Sequence, residues 1–416
     1  MTGDRSSFAR AAWPALVGAV LLAGFPASAL SQATTCSPDV VQPSGAITRV
    51  CMPAPGRWNG DLVVFAHGYV SPEEPVGIPE SQLSLPDGTS IPGIINALGF
   101  AFATTSYRKN GLAVLPGIAD VRDAASAFVD EQDPPRHTYL VGASEGGLVT
   151  ALAVERSPEV FSGGVATCGP VGNFRGQVNY WGDFRALFDL YFPGLLPPNA
   201  VNVPQYVRDQ WTTHYVPRIT LAFAARPAAL DRLLRVSRAP FDPADADTKV
   251  ATALGLLWYN VFATMDGIST LGGQPFDNTT RFYTGSRNDF LLNLLVKRYH
   301  ASPVAVQEIE GNYQTSGRLA VPLVTLHTTG DPVVPYWHEP LYSLKALLGG
   351  SGLLHINLPA FRYGHCNFEP AEALVALGLL VLKVEGRELL DAETVLKTQE
   401  ARELYRSLAR ANGLRR

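Results

Sequence analysis

Apolar and polar positions along this chain follow two rhythms. Near-continuous apolar runs recur at Asp61 to Ala66, Phe100 to Tyr107, Thr138 to Gly142, Gly163 to Thr167, Leu319 to Thr328 and Leu353 to Pro359. A parallel strand buried on both faces has this appearance. Between the runs, Gly117 to Glu131 carries apolar residues at Ile118, Val121, Ala125 and Phe128, and Leu148 to Glu155 repeats a helical period. Strand and helix alternate strictly as far as Gly169. The expected fold class is therefore α/β, with right-handed crossovers and a mostly parallel central sheet flanked by helices.

The alternation stops at Pro170 and resumes at Leu319. The intervening chain carries helical patterns at Trp181 to Tyr191, Val207 to Tyr215, Ala228 to Val236, Thr248 to Met265 and Asn288 to His300. The expected organisation is a core in two parts, 34–169 and 319–416, with a helical cap or lid, 170–318, inserted between core strands. Aromatics of the insertion either pack its own core or wall an apolar substrate, and helical spacing favours the first. The stretch Ser71 to Pro92, rich in Pro, Glu and Ser, reads as a loop beside a cleft. Helical patterns at Pro370 to Leu382 and Ala392 to Ala409 close the chain.

Residues 1–33 read as a signal peptide. Arg5 and Arg10 make the start positive, Ala15 to Ala23 with Phe25 form an apolar stretch too short to span a bilayer, and Ala27-Ser28-Ala29 and Ser31-Gln32-Ala33 both fit a small-x-small cleavage site. The expectation is a secreted or periplasmic protein with no stable membrane span after cleavage; an uncleaved N-terminal anchor is the alternative. With 46% hydrophobic and 17% charged residues the chain can bury a substantial core, and a net charge of -4 provides no basic footprint for nucleic acid. Four cysteines in an exported chain allow three disulfide connectivities. Cys36 and Cys51 are near each other ahead of the first strong strand, and are expected to close a small N-terminal loop.

The chemistry gathers at strand ends. Val141 to Gly147 contains G-x-S-x-G between a strand and a helix, the context in which the serine hydroxyl projects from a strained turn, so Ser144 is the candidate nucleophile. Chance could supply such a pentapeptide in a chain with 38 glycines; the junction gives it weight. After the first strong strand comes His67-Gly68-Tyr69. The backbone N–H of Tyr69, with that of Glu145, is placed to form an oxyanion hole, and His67 is expected to prop the loop without moving protons. Asp331 sits between Gly330 and Pro332 just after a buried strand, suited to orient a histidine, although an ordinary Asx-turn would look the same. His338 and Glu339 either support it or simply begin a helix. His365 is the histidine in a glycine-preceded loop after the final strand. No metal or organic cofactor is expected, because the histidines lack the close spacing of zinc ligands.

On these motifs the chain resembles the α/β-hydrolase fold superfamily, and within it the lidded secreted serine hydrolases related to the prolyl-oligopeptidase-like and esterase branches. The resemblance covers about Asp61 to Gly169 and Leu319 to Leu382, and the order Ser144, Asp331, His365 agrees with it. Ala143 departs from the commoner His or Tyr before the serine. The resemblance implies a Ser-His-Asp triad and an acyl-enzyme, with a small-molecule or polymeric ester as substrate. A serine peptidase of prolyl-oligopeptidase-like type is the nearest alternative. A non-catalytic binding module is the distant one, and such a module usually loses a triad member. On this fold Cys168 ends the strand after the elbow strand and Cys366 follows His365, so the two are expected to pair; two unpaired buried thiols are the alternative.

Overall fold

The structure, a computed structural model, describes residues 34–85, 87–386 and 392–414; the expected signal peptide lies outside the described residues. The strands are β1 (Thr35–Cys36), β2 (Val40–Val41), β3 (Ile47–Met52), β4 (Leu62–Ala66), β5 (Ala101–Thr105), β6 (Thr138–Ala143), β7 (Gly163–Thr167), β8 (Leu323–Gly330) and β9 (His355–Tyr363). They form one sheet in the order β1-β3-β5-β4-β6-β7-β8-β9, with β2 also paired to β3. From β5 to β9 every pairing is parallel, while β3 runs antiparallel to β5.

Every residue of β4, β5 and β7 is buried, which is why these strands read as near-continuous runs of apolar and small residues. Alternate side chains of β4 point to opposite faces. Val64 and Ala66 meet α2 (Val114–Glu131) and α3 (Glu145–Arg156) through Val121, Phe128 and Leu148, whereas Val63 and Phe65 join a cluster with Leu374, Val375 and Leu380. Those three lie on α13 (Pro370–Glu385). Each such Val, Leu or Phe side chain contributes about 1.5–3 kcal/mol on burial.

Between β7 and β8 run α4 (Phe174–Tyr191), α5 (Gln205–Asp209), α6 (Val216–Ala225), α7 (Pro227–Ser237), α8 (Asp247–Val261), α9 (Ala263–Thr270), α10 (Asp289–Leu295) and α11 (Pro303–Glu308). A separate hydrophobic cluster belongs to the segment between β7 and β8 alone, with Phe184, Phe188, Phe192, Trp211 and Phe223 among its members. Most aromatics of the insertion thus pack against one another. After β8, α12 (His338–Leu348) leads to β9, and α14 (Gln399–Ala411) follows α13.

Several elements differ from their sequence pattern. The expected loop through Pro92 gives way to α1 (Ile91–Ala97), whose N-terminus is capped by the Ser90 hydroxyl and which carries Pro92 in its first turn. The pattern over Asn288 to His300 is helical only to Leu295, because Val296 turns extended. The pattern from Ala392 breaks into a 3-10 turn, and α14 starts afresh at Gln399, capped by Thr398. Among the described residues no helix is long and apolar enough to cross a membrane. A disulfide joins Cys36 to Cys51, which face each other across β1 and β3.

Candidate active site

Ser144 occupies the turn from β6 to α3 with φ 58° and ψ -120°, a conformation that costs a non-glycine residue energy. Its neighbours make the turn possible. A Cβ on Gly142 would lie 2.1 Å from the Gly146 carbonyl oxygen, and one on Gly146 would lie 2.0 Å from that of Ala66. Only glycine lets β4, β6 and α3 approach this closely.

His365 stands on the turn after β9, preceded by Gly364 at φ 114°. Its Nε2 is 2.8 Å from Ser144 Oγ and its Nδ1 is 2.7 Å from Asp331 Oδ2. Asp331 is fully buried, and its Oδ1 accepts the backbone N–H groups of Val333 and Val334 at 2.8 and 2.9 Å. An ionised carboxylate only accepts, so Nδ1 carries a proton and Nε2 is free to accept from the serine. Burial would raise the Asp331 carboxyl, but the neighbouring imidazoles of His365 and His327 outweigh it and hold the pKa at about 2. Cys366 is disulfide-bonded to Cys168, with Cα atoms 5.3 Å apart, so the turn bearing His365 is tied to the end of β7.

On the other side of Ser144 lies the loop after β4. A Cβ on Gly68 would come within 3.1 Å of Ser144 Cβ. The loop is held by Gln82, which accepts the Gly68 N–H at 2.7 Å, and by His67, whose ring stacks on Tyr107 at 3.9 Å. The Tyr107 hydroxyl donates to the His67 carbonyl at 3.0 Å. His67 is thereby packed beneath the loop that carries Tyr69. The Tyr69 N–H makes no hydrogen bond among the described residues, and that of Glu145 belongs to the first turn of α3, where N–H groups have no partner within the helix.

No protein-family model matches the chain, and no curated protein matches its sequence. Among solved structures it is similar to an acylaminoacyl peptidase from Pyrococcus horikoshii, with 12% identity over 85% of this chain and 42% of that one and a TM-score of 0.41. It is also similar to Candida antarctica lipase A, with 14% identity, 89% and 82% coverage and a TM-score of 0.43. A rice cell wall degrading esterase from Xanthomonas oryzae gives 14%, 83%, 87% and 0.42. The chain spans about two fifths of the length of the peptidase. The sheet itself decides the architecture: one antiparallel strand, β5 and β4 exchanged in order, a serine turn after β6, an aspartate after β8 and a histidine after β9. The fold is that of the α/β-hydrolases.

Behind Asp331 the chain carries a second imidazole that the sequence pattern did not single out. His327, on β8 and fully buried, places Nε2 2.8 Å from the Val334 carbonyl and 3.4 Å from Asp331 Oδ2, and Nδ1 3.0 Å from Glu339 Oε1. Both nitrogens face acceptors, so both carry protons. Burial alone would lower its pKa; the bonds to Asp331 and Glu339 overcome that and raise it to about 10. Of the two residues expected either to support Asp331 or to begin a helix, Glu339, in the first turn of α12, reaches Asp331 only through His327. His338 starts α12 and accepts the N–H groups of Gly172 and Asn173 at 3.1 Å, anchoring the entry to α4.

Glu145 turns its side chain into the protein, where its carboxylate accepts the Ala113 N–H at 2.7 Å. Burial pushes its pKa up to about 8. A raised folded pKa means stability that is complete below the ordinary glutamate value and is lost as pH rises through about 8. Glu145→Gln keeps an acceptor for Ala113 and removes the charge. Urea denaturation should find it more stable than the wild type at pH 9, by on the order of 2–4 kcal/mol, and similar to it near pH 4. No gain at pH 9 would mean that this carboxylate is not charged at a cost in the folded protein.

A cavity of about 590 Å³ opens beside Ser144 and His365. Its walls are Phe65, Val141 and Val165 from the sheet, Ile91, Ile94 and Ile95 from α1, and Leu374 and Leu377 from α13, with Tyr259 as its contribution from the insertion. A smaller cavity of about 50 Å³ lies between Ser144 and the insertion, where Trp181 stacks on Tyr259 at 4.8 Å. The main apolar wall therefore comes from α1 and α13.

Proposed function

We propose that this chain is a serine hydrolase that cleaves carboxylic esters through an acyl-enzyme on Ser144. The observation that carries the reading is the hydrogen-bonded series Ser144, His365, Asp331, at 2.8 and 2.7 Å, on a glycine-enforced elbow. His365 Nε2 takes the serine proton as Oγ attacks the ester carbonyl, and Asp331 stabilises the resulting imidazolium. The N–H groups of Tyr69 and Glu145 receive the oxyanion. The imidazolium then protonates the departing alcohol, and water, activated by the same nitrogen, releases the acid.

The large cavity favours an ester with an apolar acyl chain over a peptide. Peptide amides seated there would lose hydrogen bonds to water without regaining them, at about 1–3 kcal/mol each. The helical segment 170–318 acts in this reading as the cap, closing the site from the side of Trp181 and Tyr259. Residues 1–33 act as an export signal, and the two disulfides fit an oxidising compartment.

A panel of p-nitrophenyl acyl esters of increasing chain length, run beside aminoacyl and prolyl p-nitroanilides, tests the reading. Each methylene buried is worth about 0.8 kcal/mol, so kcat/KM should rise about fourfold per added methylene until the cavity is full. Leu374→Trp should shorten the preferred chain while sparing acetyl esters. Efficient anilide cleavage with poor turnover of every ester would replace this reading with a peptidase.

A further inference from the structure

At the end of the sheet opposite Ser144, Asp61 immediately precedes β4, His137 immediately precedes β6, and Glu385 is the last residue of α13. Strands of this length put the cluster roughly 20 Å from the elbow. Four side-chain atoms here are buried without a hydrogen-bond partner: Asp61 Oδ1, His137 Nδ1, Glu385 Oε1, and the hydroxyl of Tyr139, whose ring is 6.0 Å from that of His137. Buried polar atoms are nearly always satisfied, so four orphans in one place call for a partner that protein atoms do not supply.

The geometry says what kind. The Asp61, His137 and Glu385 atoms all lie within 4.8 Å of one another. His137 Nδ1 is 3.0 Å from Glu385 Oε1 and 3.4 Å from Asp61 Oδ1, yet its N–H direction makes a hydrogen bond to neither. Ligand atoms about 2.0–2.1 Å from a shared tetrahedral centre stand about 3.3 Å apart and aim at the centre, not at each other. Arg136 donates to Asp61 Oδ2 at 3.0 Å, which fixes that carboxylate and leaves Oδ1 facing the cluster, as outer partners of metal-binding carboxylates do. Charge agrees. Arg136, 3.0 Å from Asp61 Oδ2 and 3.8 Å from Glu385 Oε1, is a single positive charge set against two carboxylates, and the Asp61 side chain is completely buried.

We propose that Asp61, His137 and Glu385 bind one divalent transition-metal cation of the zinc or manganese class. One imidazole and two carboxylates suit these ions better than calcium or magnesium, which prefer oxygen alone. The site is structural. It clamps the starts of β4 and β6 to the end of α13 and leaves the Ser144 chemistry untouched.

The test uses the full-length protein, stripped with a chelator and desalted, titrated calorimetrically with zinc chloride and separately with manganese chloride. The wild type should bind one equivalent of at least one ion and show a higher Tm with it. His137→Gln and Glu385→Gln, whose partly exposed positions tolerate substitution better than Asp61, should bind at least tenfold more weakly and lose the Tm rise. Arg136→Gln should weaken binding less than either. A wild type that binds neither ion would overturn the proposal and leave a buried water or a charged His137 as the partner. So would binding that is unchanged in both ligand variants, since the ion would then sit elsewhere. Fluorophosphonate labelling of Ser144 in the stripped protein reads the hydrolase proposal separately.

Discussion

Ser144→Ala is expected to lower kcat on an acyl ester by about 10⁴- to 10⁶-fold while the protein stays folded. The size of the loss follows from the way the parts depend on one another. With no Oγ, His365 has no proton to take and the Tyr69 and Glu145 N–H groups have no tetrahedral oxyanion to receive. The fold should survive because alanine keeps the same Cβ at φ 58°, and the strain there is set by Gly142 and Gly146, which do not change. Asp331→Asn should lose about 10⁴-fold for a different reason: the amide nitrogen could donate to His365 and favour the wrong tautomer. Steady-state rates on one p-nitrophenyl ester, with circular dichroism and Tm as controls, measure all of this. A folded Ser144→Ala protein that kept near-full activity would remove Ser144 from the mechanism.

How much of this was legible in the sequence depended on whether a feature leaves a local mark. The strands β4, β5 and β7 did, since burial on both faces permits nothing but apolar or small residues. The elbow did too: two glycines had to flank Ser144 for backbone to pass backbone. The residues that chain order singled out, Ser144, Asp331 and His365, are those the structure brings together, and Cys168 meets Cys366 beside them. What stayed hidden was short or three-dimensional. β1 and β2 are two exposed residues each, too brief for any period. α1 is concealed by the proline and glycine in Ile91-Pro92-Gly93, although proline suits a first turn. Glu145 looks like a solvated charge until its burial against Ala113 is known. The large cavity is assembled from β4, β6, β7, α1 and α13, and no window of sequence contains it. The Asp61, His137 and Glu385 cluster is likewise drawn from three distant points of the chain.

His327 left one mark, a lone histidine inside an apolar strand, and its replacement carries the largest stability effect expected here. His327→Gln should cost about 3–5 kcal/mol, because it removes the cation lying between two buried carboxylates, Asp331 and Glu339. Glu339 would keep its bonds from Thr325 and Asn357, but Asp331 would be left with His365 as its imidazole partner. In the double variant His327→Gln/Glu339→Gln the cost should be smaller than the sum of the singles by more than 1 kcal/mol, as a paired buried charge requires. The pH dependence separates this from simple repacking. His327 has a folded pKa raised to about 10, so its contribution is complete below about 6.5 and disappears as pH rises through about 10. The groups facing it are Asp331 and Glu339, with Tyr336 edge-on at 5.9 Å and His338 near enough to oppose its charge. Wild-type stability should therefore fall over two overlapping ranges of rising pH, one from about 4.5 to about 8 that Glu145→Gln abolishes and one from about 6.5 to about 10 that His327→Gln abolishes. Urea denaturation of the three proteins at pH 4, 6, 8 and 10 separates the two, since Glu145 alone acts between pH 4 and 6 and His327 alone between pH 8 and 10. If His327→Gln lies within about 0.5 kcal/mol of the wild type at pH 6, the imidazole is not a charged partner of Asp331.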